Sequence, residues 1–354
     1  MMAINDTPQP PEGSKNIPQT ENQTPQYKTE NLPKITIITP SFNQGQFIEQ
    51  TIQSVIAQNY PNLEYIIIDG GSTDNTLEII KKYANFIDFW VSEPDNGQSD
   101  AINKGLKHAT GEVFNWLNSD DYYLPNALLI VGNAFKNPNL NVLCGNELVL
   151  LPNGELTKTT NPPTIIKASL EETMAVANIC QPPTFFRLSA FRQLGDVSER
   201  LHFCMDADMW LRYLTEFGLW NVEKTDAIFN VFRVHTDSKS SSKKRIYYTD
   251  RFNLLMTLVH NSELAKDFPK QFVNDNPIFS FYFHQAYPLS MVNEKRLLAL
   301  VAEQLLAYFS QFMTWKSFFD LYFYSFKQLP KGRNRRFYIS PFIKFKRLFK
   351  PIVI

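Results

Sequence analysis

The chain has 354 residues, with 35 Lys plus Arg balanced by 35 Asp plus Glu. That balance excludes a globally basic nucleic-acid binder and an acidic solvating chain, while 44% hydrophobic residues supply a sizeable core. The three cysteines, Cys144, Cys180 and Cys204, are far apart and lack Cys-x-x-Cys spacing, which argues against a disulfide framework or a zinc site and predicts buried, reduced thiols.

Residues 1–33 are rich in Pro, Gln, Asn and Thr and contain no apolar segment of the signal-peptide kind; they read as a disordered leader. No apolar run approaches the ~20 residues that span a bilayer, so a soluble or peripheral protein is expected.

Residues 34–39 form a β-rich run stopped by Pro40. Helical spacing follows over 46–59, with Phe47, Ile48, Thr51, Ile52, Val55 and Ile56 on one face. Leu63 to Ile68 reads as a buried strand ended by Asp69-Gly70-Gly71. Ser72-Thr73-Asp74 offers an N-cap for a helix reaching about Tyr83. A third strand is predicted near 87–92, a helix over about 99–109 and a fourth strand over about 112–117. This alternation predicts an α/β protein with a doubly wound, mostly parallel sheet. Ligands of such sheets bind beyond the carboxyl ends of the strands, which gathers Pro40 to Phe42, Asp69, Glu93 to Asp95 and Asn118 to Asp121 around one crevice.

After Asp121 the rhythm changes. Pro125 suits the first turn of a helix reaching about Phe135. Residues 142–151 and the Pro152-Asn153-Gly154 turn read as a hairpin arm and its tip. A mixed segment follows, then a helix over about 206–217 ended by Gly218 and a strand over 227–234 that runs into His235. From about Ile246 the chain reads as a helical, aromatic appendage.

Five constellations carry chemistry. Asn118-Ser119-Asp120-Asp121 sets two adjacent carboxylates at a strand end, which suits a hard divalent cation that keeps places for phosphate oxygens; the alternative is a polar turn. In Asp69-Gly70-Gly71-Ser72-Thr73-Asp74, a carboxylate can accept a pyrimidine N–H and glycines allow close backbone approach; the alternative is an ordinary strand-to-helix turn. The Glu93 to Gly105 block puts Asp100, Asn103 and Lys104 in the first turns of a helix, where anions are favoured; the alternative is capping by Ser99. Asp206 opens a helix and suits a general base, with Asp208 a nearby rival and a simple acidic first turn the alternative. His235, after the last strand, is either structural or part of a metal shell.

Taken together, Thr39-Pro40-Ser41-Phe42-Asn43, the Asp69 turn, the Asp95 to Gly105 block, Ser119-Asp120-Asp121 and Asp206-Ala207-Asp208-Met209-Trp210-Leu211-Arg212 resemble glycosyltransferase family 2 in order and spacing. Gln181-Pro182-Pro183-Thr184-Phe185-Phe186 and Phe232-Arg233-Val234-His235 look like its acceptor-side and metal-side segments. The resemblance covers about residues 34–236. It implies a GT-A fold, inversion at the anomeric carbon and a Mg²⁺ or Mn²⁺ cofactor. By the same resemblance, Pro40 and Phe42 line the base pocket, Asp69 holds the pyrimidine, and Asp95 and Asp100 position the donor. Asp120 meets the nucleotide-sugar and, with Asp121 and His235, the metal; Asp206 is the base. Two positions depart from the pattern: Asn118 stands where the first Asp of Asp-x-Asp-Asp is usual, and Met205 where a Glu precedes the catalytic Asp.

The expected organisation is a leader (1–33), a GT-A domain (34–240), a helical region (241–330) and a basic aromatic tail (331–354). The expected function is transfer from a UDP- or dTDP-sugar to a hydroxyl of a glycan or lipid-linked acceptor, in cell-surface polysaccharide or glycolipid synthesis. The setting is cytoplasmic, with the tail in peripheral contact with an anionic membrane and no nucleic-acid partner. The departures leave open a non-catalytic nucleotide-sugar-binding subunit. A nucleotidyltransferase is disfavoured because no glycine-rich basic loop follows the first strand.

Overall fold

The structure is a computed structural model that describes residues 29–158, 164–201, 203–236, 244–264, 287–309 and 319–324. The predicted alternation is present. Strands β1 (Ile35–Ser41), β2 (Leu63–Asp69), β3 (Phe89–Ser92) and β4 (Val113–Trp116) alternate with helices α1 (Ile48–Ile56), α2 (Thr76–Lys82) and α3 (Gln98–His108). They lie in the order β3-β2-β1-β4, all parallel.

The chain continues through β5 (Tyr122–Tyr123), α4 (Ala127–Ala134), β6 (Val142–Leu150), β7 (Leu156–Lys158), α5 (Leu170–Val176), β8 (Thr184–Arg187), α6 (Leu188–Gln193), α7 (Met205–Phe217) and β9 (Val222–Arg233). This half is mixed: β8 runs antiparallel to β4 and β6, β9 lies parallel to β6, and β5 closes the far edge antiparallel to β9. The predicted hairpin is β6 with β7. Helices α8 (Lys244–Asn261) and α9 (Glu294–Phe309) form the expected helical appendage.

Side-chain alternation explains why β1 and β2 are apolar throughout. Ile35, Ile37, Tyr65 and Ile67 enter one core with Ile48, Ile52 and Val55 of α1. Ile38, Ile66 and Ile68 face the opposite core. Successive strand residues point to opposite faces, and here both faces are covered. The second core also holds Met209, Trp210 and Leu214 of α7, Leu255 and Leu258 of α8, and Leu297 and Val301 of α9. At roughly 1.5–3 kcal/mol for each large apolar side chain, that shared burial makes the appendage part of the same folded body.

Some boundaries differ from the sequence reading. Asn126, at φ 65°, is the N-cap of α4, so Pro125 stands before that helix. Strand β9 starts at Val222, earlier than Ala227. The mixed segment contains α5, β8 and α6, whose short lengths gave no readable period. Leu32 is buried and Tyr60 Oη donates to the Pro33 carbonyl at 2.7 Å, so packing begins just before residue 34. Residues 1–28 of the expected leader and the tail at 331–354 lie outside the described residues.

Candidate active site

The crevice opens where β1, β2 and β4 end. Asp69 closes β2 and is fully buried. Its Oδ1 accepts from Ser72 Oγ at 2.5 Å, and its Oδ2 accepts from Ser72 N at 2.9 Å and Ser92 Oγ at 2.7 Å. The carboxylate therefore ties the ends of β2 and β3 to the turn between β2 and α2. Pro40 is buried in β1, whereas Phe42 is 57% exposed at the rim.

The loop before α3 is pinned by its own acids. Asp95 Oδ1 accepts from Gly97 N at 2.8 Å, and Asp100 Oδ2 accepts from Asn96 N at 2.9 Å. Burial raises the pKa of Asp95. A side chain at Gly70 would place its Cβ 2.7 Å from Asp95 Oδ2, so glycine there is what lets the loop close on the β2 turn. The alternative of a Ser99 cap is not what the structure has. Gly97, at φ 111°, is the N-cap, and Ser99 Oγ instead lies 2.9 Å from Met205 Sδ at the start of α7. Gln98 Nε2 donates to Asn118 Oδ1 at 2.6 Å. The loop thus touches both the turn after β4 and the start of α7.

Asp120 and Asp121 occupy different positions. Asp121 is fully buried, accepts from Arg233 N at 3.0 Å, and has its pKa raised by burial and then by Asp120. Asp120 remains partly accessible, and its Oδ2 is 3.0 Å from His235 Nε2. Arg233 braces the turn: Nη1 donates to the Asp120 carbonyl at 2.7 Å, and its guanidinium lies over the Tyr122 ring at 4.8 Å. The Thr51 hydroxyl lies 2.8 Å from the Ser119 carbonyl and 2.6 Å from that of Asp121, fastening α1 to the same turn.

The fold class implies a divalent cation, and the pair Asp120–His235 fits one. Asp120 Oδ2 and His235 Nε2, 3.0 Å apart, offer an oxygen and a nitrogen donor that would suit such an ion. Among the described residues no three His, Cys, Asp or Glu side chains converge on a metal position. Two protein ligands suit an ion whose remaining places go to diphosphate oxygens and water.

Asp206 lies in the first turn of α7, partly accessible, its Oδ1 accepting from Ala207 N at 2.8 Å. Burial pushes its pKa up to about 6. Asp208 is engaged on both oxygens: Oδ2 lies 2.6 Å from Arg212 Nη2, and Oδ1 accepts from Tyr287 Oη at 2.6 Å. Asp206 is thus partly accessible, whereas Asp208 is buried with both oxygens engaged.

Glu147 and Cys180 were not foreseen. Glu147 is a lone acid in apolar β6, buried with its pKa raised. The Cys180 thiol is pushed well up by burial, then by Glu147, Asp206 and Asp121. Cys144 and Cys204 are buried as expected, while Cys180 is partly exposed. An acid interrupting an apolar strand was the available signal for Glu147; nothing in the sequence singled out Cys180.

A parallel half-sheet with donor-side turns, an Asp–His pair and a helix-borne carboxylate defines a GT-A glycosyltransferase architecture, and solved structures agree on the fold. The chain aligns over 89% of its length, and over 87% of the other chain, with S. aureus TarS 1-349 in complex with UDP-GlcNAc, at 18% identity and a TM-score of 0.56. Residues 36–195 match the model of Glycosyl transferase family 2. An uncharacterized glycosyltransferase of Rickettsia typhi is 30% identical over 188 residues, 51% of this chain and 59% of that protein. The chondroitin synthase of Pasteurella multocida is 30% identical over 191 residues, 53% of this chain and 19% of that one. Over residues 36–195 the chain is similar to glycosyltransferase family 2. It spans little more than half of the Rickettsia relative and a fifth of the synthase.

Proposed function

We propose that the protein transfers a sugar from a UDP- or dTDP-sugar to a hydroxyl of a glycan or lipid-linked acceptor, inverting the anomeric carbon. The observation that carries this reading is the chain of contacts around the crevice. Asp95 lies against Gly70, the residue after Asp69, Gln98 reaches Asn118, Ser99 reaches Met205 beside Asp206, and Asp120 faces His235.

Asp120 and His235 would hold the Mg²⁺ or Mn²⁺. When bound, such an ion supplies Lewis acidity toward the departing diphosphate. Asp121, buried and bonded to Arg233 N, holds the turn that carries Asp120. Pro40 and Phe42 would flank the base. Asp69 has three hydrogen bonds on its two oxygens and lone-pair capacity for one more, toward a ring N–H. Asp95 and Asp100 act on the donor by fixing the loop it rests on. Asp206 takes the acceptor proton as the oxygen attacks from the face opposite the diphosphate. One displacement gives one inversion, whereas a hydrolase would need two carboxylates flanking the bond.

The domain limits follow: a catalytic body over 34–240 completed by helices from 241 to 330, and a tail at 331–354 that we assign to contact with an anionic membrane on the cytoplasmic side. No helix among the described residues is long and apolar enough to cross a membrane. The deciding experiment is a screen of nucleotide-sugars for metal-dependent hydrolysis and transfer, with Asp120→Ala and His235→Ala alongside. The expected result is turnover with UDP- or dTDP-sugars that excess chelator stops and Mn²⁺ or Mg²⁺ restores. Turnover in chelator would remove the metal. UDP binding without hydrolysis or transfer of any donor would favour a non-catalytic binding subunit.

A further inference from the structure

The helix that carries Asp206 begins without a side-chain cap. Cys204 occupies the N-cap and makes no capping hydrogen bond, although an uncapped first turn leaves several N–H groups without intrahelical partners. Asp206 Oδ1 accepts from its neighbour, Ala207 N. The first turn of α7 is instead gripped from outside, by residues beyond the 36–195 family match.

Two grips come from the C-terminal region. Asp250 on α8 accepts from Phe203 N at 2.9 Å, holding the turn that enters α7. Tyr287, just before α9, donates to Asp208 Oδ1 at 2.6 Å. The other Asp208 oxygen pairs with Arg212 at 2.6 Å, and Arg212 Nη1 holds the carbonyls of Leu194 and Asp196 at 2.6 and 3.0 Å. Asp208, Arg212 and Tyr287 are all buried. At about 100° per residue, positions 206 and 208 point to roughly opposite sides of the helix. Gripping Asp208 therefore sets the rotation at which Asp206 meets the crevice. Arg251, next to Asp250 and bonded to the Val176 carbonyl, also favours the ionised form of Asp206.

We propose that Tyr287 and Asp250 are positioning residues for Asp206, so that the C-terminal helices are a working part of the active site. The inference rests on Asp206 being the base. A buried hydrogen bond to a charged group resists rotation strongly, and small misplacements of a reacting group cost large factors in rate.

The test compares Tyr287→Phe, Asp250→Ala and Asp206→Asn in the full chain. Steady-state transfer is measured per mole of UDP-binding sites, counted by calorimetry, so that unfolded protein does not count. The expected result is a roughly tenfold fall in kcat for Tyr287→Phe and Asp250→Ala. UDP affinity and donor KM stay within about twofold, and Asp206→Asn loses at least a hundredfold. If the two variants only lower Tm, with kcat per binding site unchanged while Asp206→Asn is inactive, the positioning role is overturned and the base stands. If Asp206→Asn turns over normally, the base reading fails and the positioning role falls with it.

Discussion

Replacing Asp206 by Asn should stabilise the protein while stopping the reaction. Burial raises the Asp206 pKa from 3.8 to about 6, roughly two units, or up to about 3 kcal/mol between its two charge states. The sign follows from linkage. Between pH 3.8 and 6 the folded chain binds more protons at this site than the unfolded chain does. Stability is therefore full below 3.8, declines as pH rises through 6, and stays reduced above it. Asparagine has no charge to desolvate, so Asp206→Asn should gain up to about 3 kcal/mol at pH 7 and nothing at pH 3.5. Activity runs the other way. With a pKa of about 6, kcat should rise about tenfold per pH unit below 6 and level off above 7. Urea unfolding at pH 7 and 4.5, with a pH profile of kcat for the native chain, tests both halves. A variant less stable than the native chain at pH 7, or an acid limb centred near 4, would refute the reasoning.

Other outcomes follow from the same geometry. Gly70→Ala should keep the fold and weaken UDP binding about tenfold by calorimetry, because its Cβ would press on Asp95; unchanged affinity would detach that loop from the donor. Asp120→Asn should abolish metal-stimulated turnover, whereas Asp121→Asn should mainly lower Tm, since Asp121 braces Arg233 N from a buried position. Equal defects in metal dependence would place both carboxylates on the ion. Glu64→Gln should destabilise the protein at pH 7 by about 1–3 kcal/mol. Burial alone would raise the Glu64 pKa, but the Lys34 ammonium with hydrogen bonds from Thr110 and Thr36 outweighs it and holds it at about 2. That contribution is present above pH 4.5 and is lost as pH falls toward 2, so the stability difference should vanish there in a pH-dependent melt.

The first half of the fold was legible because each of its elements is long enough to carry a period. Ile35 to Ile38 and Leu63 to Ile68 are apolar on both faces, and α1 shows its stripe at Ile48, Ile52 and Val55. The second half was not. Strand β5 is two residues long, β8 four and α6 six, and such lengths leave no repeat to read. The acids proposed for the donor side were singled out by position, but their hydrogen bonds were not. Asp69, Asp95 and Asp100 each bind backbone N–H groups of their own loops, which no spacing rule reveals. Sequence left Asp206 and Asp208 as rivals because both suit a helix start. They separate through burial and through the partners of Asp208, Arg212 on its own helix and Tyr287, 79 residues away along the chain.

The way the sheet ends has a consequence for solution behaviour. Its two borders are β3, four residues, and β5, two residues, with the three-residue β7 set beside β6. An open border of a large sheet is a template on which another chain can add a strand, and short borders are a known protection. The nine strands gather their longest members, β6 and β9, away from those borders; β6 has partners on both sides, whereas β9 meets β5 only at Asn230 and Val231. Among the described residues β3 and β5 thus offer a neighbouring copy few backbone groups, and the longer template is the part of β9 that β5 does not reach.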